Sequence, residues 1–315
     1  FYKLDATEIF TMLIQYDNLK DRLNKIRTNQ IKEGYKVGID ELDKYLRFKP
    51  GNFNIILGHS NVGKTTCVLY LMLLYSRRLG VKWLVFSSEN DPHSIVRKLI
   101  EFQCLKPLTK ISEEEFNKNL EYIESKFKIF DTSKLFNYRQ IIELASSLKG
   151  AWDYQGLLID PYNSLVKDPE IVKGIGGHEY DYQACTELRI FCKKHNVSIW
   201  LNTHANTNAL RMKHPIGHEY AGHPIVPLAS DVEGGGKFVN RADDFICIHR
   251  YLQHETEWMV SMIHVRKIKE IETGGQPTPL DEPIKLSALA GNVGFEINGK
   301  KMLDIEYKDS GNLPF

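Results

Sequence analysis

The stretch "ILGHSNVGKTT", residues 56–66, constrains this chain more tightly than any other. From Gly58 the spacing reads G-x-x-x-x-G-K-T, with a strand-like "FNIIL" before it and an apolar, helix-like "CVLYLMLLY" after it. A glycine turn between a strand and a helix points backbone N–H groups at an anion, at the positive end of the helix. Gly58 and Gly63 free the backbone to wrap, and His59, Ser60, Asn61, Val62, Lys64, Thr65 and Thr66 complete the loop. Lys64 would reach the β- and γ-phosphates, and the Thr65 hydroxyl would ligate Mg²⁺. The expected cofactors are Mg²⁺ and ATP, or another NTP or dNTP.

Composition narrows the partners. With 315 residues, 42% of them hydrophobic, the chain can bury a large α/β core beside a small appendage. Lys plus Arg number 41 against 40 Asp plus Glu, so there is no overall attraction to nucleic acid or membrane and any such binding must be local. Cys67, Cys104, Cys185, Cys192 and Cys247 form no C-x-x-C pair, which fits a reducing interior. No signal peptide and no apolar run near 18 residues is present, so no membrane partner is expected. The chain begins at Phe1, which suggests a piece of something longer, and the expected setting is the cytoplasm of a bacterial or phage-infected cell, with an organelle left open.

Ile9, Phe10, Leu13, Ile14, Leu19, Leu23 and Ile26 fall at helical spacing and predict an amphipathic leader helix over residues 1–30, packed on its own domain or docked on a neighbouring subunit. Residues 31–315 read as one domain behind the connector "KEGYKVGID". Its runs "KWLVFSSE", "FKIFDTS", "GLLIDPY", "VSIWLNTHA", "DDFICIHRY" and "EWMVSMIHVRK" predict strands. Their early alternation with helices argues for a mainly parallel central sheet covered by helices, and the short late connections for an antiparallel C-terminal extension.

Open α/β sheets place ligands at the carboxyl ends of their strands, and three strands end in chemistry there. "GLLIDPY" ends in Asp160, a carboxylate for Mg²⁺. "WLVFSSE" ends in Glu89, a general base for the water that attacks the γ-phosphate, or else only part of the cap of the helix beginning near Asp91 and Pro92. "SIWLNTHAN" ends in Asn202 and His204, polar groups that could sense the γ-phosphate.

The segment "VGIDELDKYLRFKPGNFNIILGHSNVGKTT" resembles the entry into the RecA-like ATPase core of DnaB-like replicative helicases, and "SDVEGGGKFVNRADDFICIHR" resembles that family's DNA-binding and core segment. The resemblance covers about residues 34–270 and is nearer to the phage primase-helicase and Twinkle branch, because histidine stands at 204. It implies a catalytic set of Lys64, Glu89 as base, His204 as γ-phosphate sensor and Arg266 as a trans-acting finger, with Thr65 and Asp160 on the metal and Arg250 near the nucleotide base. His264 stands where the family has a second, lysine finger, and Lys267 would point to the opposite side of its strand. Two DNA loops are implied near residues 164–180 and 205–237, with Arg211, Lys213 and Lys237 as phosphate contacts in the second. A zinc reading of His214, His218 and His223 lacks a clear fourth ligand. The family implies a homo-oligomer, a hexameric ring on single-stranded DNA, with a primase domain or protein as a further partner. A filament-forming RecA-like recombinase or single-strand-dependent ATPase, and a nucleotide-dependent assembly switch, are the alternatives.

Overall fold

A computed structural model of the chain describes residues 13, 16–28, 34–271 and 274–307. Its centre is β1 (Phe53–Gly58), six residues buried throughout, which pairs in parallel with β5 (Ser198–His204) on one side and β6 (Asp244–His249) on the other. Beyond β5 follow β4 (Gly156–Asp160), β2 (Trp83–Ser87) and β3 (Phe127–Ile129), all parallel. Beyond β6 the sheet turns antiparallel through β7 (Val260–Ile268), β8 (Ile284–Ala288), β9 (Phe295–Ile297) and β10 (Lys300–Lys301). The ten strands form one sheet, order β10-β9-β8-β7-β6-β1-β5-β4-β2-β3. The parallel sheet with an antiparallel extension is the architecture expected from the sequence.

Alternation along β1 sends its side chains into two cores. Ile56 enters one, with the helices Lys64–Leu79 and Pro92–Cys104. Phe53, Ile55 and Leu57 enter the other, with the helices Tyr138–Lys149 and Pro169–His195. Being covered on both faces is why the central strands read as unbroken apolar runs. The helix Lys64–Leu79 buries residues around its whole circumference, between the sheet and the helix Pro92–Cys104, which explains its lack of a polar stripe.

The connector is fixed by one side chain. The Asp43 carboxylate accepts from the backbone N–H groups of Val37, Gly38 and Ile39 at 2.8, 2.8 and 3.0 Å, while Leu42 beside it is fully buried. Leu42 and Asp43 therefore pin the entry to the sheet. In the leader, Tyr16–Arg27 is helical and Leu13 and Leu23 are exposed, while Ile9 and Phe10 lie outside the described residues.

One expectation fails here. The loop expected near 164–180 is helical from Pro169 onward, because Asp168 caps the amides of Glu170 and Ile171 and Pro169 supplies a helical φ at the first position. Its glycines mark a kink at Gly176 (φ 79°, ψ 158°) inside the element Pro169–His195.

Close packing between neighbouring strands gives a test. A Cβ on Gly156 would lie 2.1 Å from Cε3 of Trp83, whose indole N–H donates to Met72 O at 3.1 Å inside the core. Gly156→Ala must displace that ring, so urea denaturation should report a loss of about 1–3 kcal/mol.

Candidate active site

The turn after β1 is shaped by close approach. A Cβ on Gly58 would meet Ile248 O at 2.4 Å and Lys64 Cδ at 2.9 Å, so only glycine lets β6 and the lysine stem pass here. Asn61 (φ 64°) and Gly63 (φ 80°) take the left-handed conformation that closes the loop onto the helix. Gly63 is the N-cap and offers no side-chain acceptor, so the amides of the first turn keep their anion-binding capacity.

Lys64 is 7% exposed. Its ammonium donates to Gly58 O at 3.2 Å, His59 O at 3.1 Å and His204 Nδ1 at 3.2 Å. Burial lowers its pKa, and the Asp160 and Glu89 carboxylates oppose that shift. An ammonium can only donate, so Nδ1 of His204 is the acceptor and its proton sits on Nε2. That Nε2 lies 3.3 Å from Glu89 Oε1, which completes a line from Lys64 through neutral His204 to Glu89. Strand register sets the line up, since Gly58 and His204 are partners at the aligned tips of β1 and β5.

Asp160 ends β4 and is 1% exposed. The Thr65 hydroxyl donates to its Oδ2 at 2.7 Å, and Asn202 Nδ2 donates to its Oδ1 at 2.6 Å. Burial raises its pKa, opposed by these two hydrogen bonds. A buried carboxylate beside a hydroxyl is a hard oxygen donor set lacking a cation of its own, which fits Mg²⁺ held by Thr65 and Asp160. Asn202 faces Asp160, and so departs from the phosphate-sensing place expected for it.

Glu89 is half exposed and makes no helix cap: the helix begins at Pro92 with Asp91 at its N-cap and no side-chain cap bond. Asn163 was missed by the sequence reading. Its Oδ1 accepts from Thr203 Oγ1 at 3.1 Å and His204 N at 3.3 Å, and its Nδ2 donates to Glu233 Oε2 at 2.8 Å. Glu233 N in turn donates to His204 O at 2.9 Å. The return limb of the 205–237 loop is thus tied to the residue that contacts Lys64.

The remaining candidates separate. Arg250 follows β6, and a Cβ on Gly63 would lie 3.7 Å from its Nη1, so its guanidinium stands against the turn. Arg266, on β7, lines a cavity of about 370 Å³ with His264, Asp231, Tyr220 and Tyr251, and its Nε has no partner among the described residues. Lys267 does not point to the opposite side as alternation predicts: β7 is irregular at Arg266, so Lys267 pairs with Phe245 and shares the sheet face of His264, donating to Val239 O at 2.6 Å and Ala242 O at 2.8 Å. Arg211 and Lys213 are exposed. Lys237 is 5% exposed, its Nζ 3.3 Å from Asp181 Oδ2 and 3.0 Å from His178 O, and this burial removes it from the phosphate-gripping surface expected of it. The rings of His214 and His218 stack at 4.0 Å, and among the described residues no group of three or more His, Cys, Asp or Glu is arranged to hold a metal. All five cysteines are unpaired, and no described helix is long and apolar enough to cross a membrane.

Three histidines, His59, His249 and His264, are buried, and both ring nitrogens of His249 are without a partner among the described residues. Burial lowers the pKa of each, to about 3 for His249 and His264. Depressed folded-state values mean that the unfolded chain takes up protons first. Their contribution is complete above about pH 6.5 and is lost as pH falls toward 3. Urea midpoints should therefore drop below about pH 6.5, and His249→Asn should flatten that dependence.

No family model matches the chain. Among curated proteins it is similar to the Twinkle homolog protein, chloroplastic/mitochondrial, of Arabidopsis thaliana, 24% identical over 260 residues that cover 79% of this chain. The chain spans 35% of that relative's length. Among solved structures it is similar to an isolated ATPase domain, with TM-score 0.67, 16% identity, and 89% of this chain and 96% of that one covered. It is also similar to a DnaB-like replicative helicase described with its interactions with primase, with TM-score 0.68, 15% identity and coverage of 92% and 70%. These likenesses agree with the motif-level resemblance to the DnaB-like replicative helicases, on the Twinkle side.

Proposed function

We propose that the chain is the motor of a replicative DNA helicase, hydrolysing a nucleoside triphosphate to translocate along single-stranded DNA and separate the duplex. The observation that carries this reading is the convergence of Lys64, Thr65, Asp160, Glu89 and His204 at the carboxyl ends of β1, β2, β4 and β5, with the 205–237 loop tied to His204. The Gly58–Thr66 turn holds the triphosphate and Lys64 turns from His204 to the β- and γ-phosphates. Thr65 and Asp160 hold Mg²⁺, which when bound offsets phosphate charge. Glu89 takes the proton of the attacking water. Losing the Lys64 contact releases His204 Nδ1, and the backbone bonds of His204 to Asn163 and Glu233 carry that change to the loop. Arg250 lies beside the bound nucleotide, and Arg211 and Lys213 contact DNA phosphates.

The working assembly is a ring, hexameric in this reading, with nucleotide sites between subunits and Arg266 reaching the neighbour's γ-phosphate. Exposed Leu13 and Leu23 support docking of the leader helix on a neighbouring subunit. The names of the similar proteins support a primase partner and an organelle, chloroplast or mitochondrion, as the setting.

Hydrolysis measured with and without single-stranded DNA, alongside unwinding of a forked duplex, tests this reading. Glu89→Gln should keep nucleotide affinity and lose turnover by about 10²–10⁴-fold. Unchanged turnover would place the base elsewhere. Hydrolysis indifferent to DNA would leave the assembly switch.

Arg266→Ala should bind nucleotide through its own intact turn yet hydrolyse it about 10³–10⁵-fold more slowly. Mixing it with Lys64→Ala subunits should restore some turnover, since an intact Lys64 then meets an intact Arg266. Normal DNA-stimulated hydrolysis by the single variant would rule out the trans contact.

A further inference from the structure

Two segments, residues 162–167 and the start of the helix at Lys237, end on one buried carboxylate. Asp181, 6% exposed, lies on the helix Pro169–His195 just past its kink at Gly176. Tyr162 Oη donates to its Oδ1 at 2.8 Å. Lys167 Nζ lies 2.8 Å from Oδ1 and 2.9 Å from Oδ2, and the buried Lys237 ammonium lies 3.3 Å from Oδ2. Burial and the Asp181 charge push the Tyr162 hydroxyl well above its ordinary pKa, so it remains a donor.

Tyr162 and Lys237 belong to different working parts. Tyr162 stands two residues after Asp160, and Asn163 next to it holds His204 N and Glu233. Lys237 opens the short helix Lys237–Arg241 at the end of the 205–237 loop. The return limb of that loop is therefore anchored twice to the segment following Asp160: at the surface through Glu233 and Asn163, and in the core through Lys237 and Asp181. Between the anchors lie Gly234 (φ 99°) and Gly235 (φ 91°), and a Cβ on Gly235 or Gly236 would touch nothing. This is a permissive hinge held between two fixed points.

A buried ion pair adds little net stability compared with apolar residues of the same shape, whereas its geometry fixes one register. We propose that Asp181 is a positioning residue that couples the 205–237 loop to the Asp160 segment, so that nucleotide at Asp160 and ligand on the loop sense one another. The DNA half of this statement rests on the helicase reading. The nucleotide half stands on the site geometry alone.

Hydrogen–deuterium exchange over residues 231–241, with and without Mg²⁺ and a non-hydrolysable triphosphate, tests it on the full chain. In the wild type the nucleotide should slow exchange there by about tenfold, a coupling within the range carried by packed networks. Asp181→Asn should abolish that response while nucleotide affinity and DNA-free hydrolysis stay within about twofold of wild type. Its ratio of DNA-stimulated to basal hydrolysis should fall toward one. Tyr162→Phe, which removes only one hydroxyl, should weaken the response with the fold intact, and it decides the matter if Asp181→Asn does not fold. A wild type without a nucleotide response in this segment, or a folded variant that retains it in full, overturns the inference. A wild type that ignores DNA while Asp181→Asn still loses the nucleotide response refutes the helicase reading and leaves the nucleotide coupling standing.

Discussion

The rest of the site depends on where the Lys64 ammonium sits. It is buried against two backbone carbonyls and one imidazole nitrogen, with the Glu89 and Asp160 carboxylates close enough to act on its pKa. Desolvating a cation this way costs more than three neutral acceptors return, and burial raises the Asp160 pKa in the same small volume. Two opposite charges held apart by a hydroxyl, an imidazole and backbone form a site whose electrostatics are completed from outside. A triphosphate with a divalent cation would answer both charges together, as an anion for Lys64 and a cation for Asp160. Perturbed ionisable groups facing one another at strand ends are what a phosphoryl-transfer site requires.

The sheet order delivers these groups to one place. With β1 between β5 and β6, the glycine turn is flanked by His204 on one side and by Arg250 on the other. Asp160 and Ser87 are register partners at the ends of β4 and β2, so Glu89 emerges beside the same tip. A one-residue slip in any pair would turn its terminal side chain to the other face. The apolar runs that bury these strands on both faces fix the register, and the core therefore contributes to the chemistry as well as to stability.

How much of this was legible in the sequence follows from how local each signal is. The phosphate turn, Asp160, Glu89 and His204 are each announced by the strand they terminate, so their meeting could be read without coordinates. Lys237 could not. A cation among glycines reads as a solvated loop residue, and only the long-range partner Asp181 withdraws it. Asn163 sits in a short 3₁₀ turn with no periodic pattern to mark it. The helix starting at Pro169 carried its own start signal in Asp168 and Pro169, yet the loop expected there rests on the family resemblance alone. In the leader, Leu13 and Leu23 find no cover among the described residues.

The question left by the resemblance, whether His264 stands in for a second cationic finger, is decided by burial. On β7, His264 and Arg266 line the cavity, while Lys267, which an irregularity in the strand at Arg266 keeps on the same sheet face, is turned away from the cavity to two backbone carbonyls. His264 is 3% exposed, and burial with the Arg266 charge beside it holds its pKa near 3. It is therefore neutral at physiological pH and brings no charge to a phosphate. Arg266 is a guanidinium whose Nε has no partner among the described residues. Of the three candidates on this strand, only Arg266 brings a cationic side chain to the cavity.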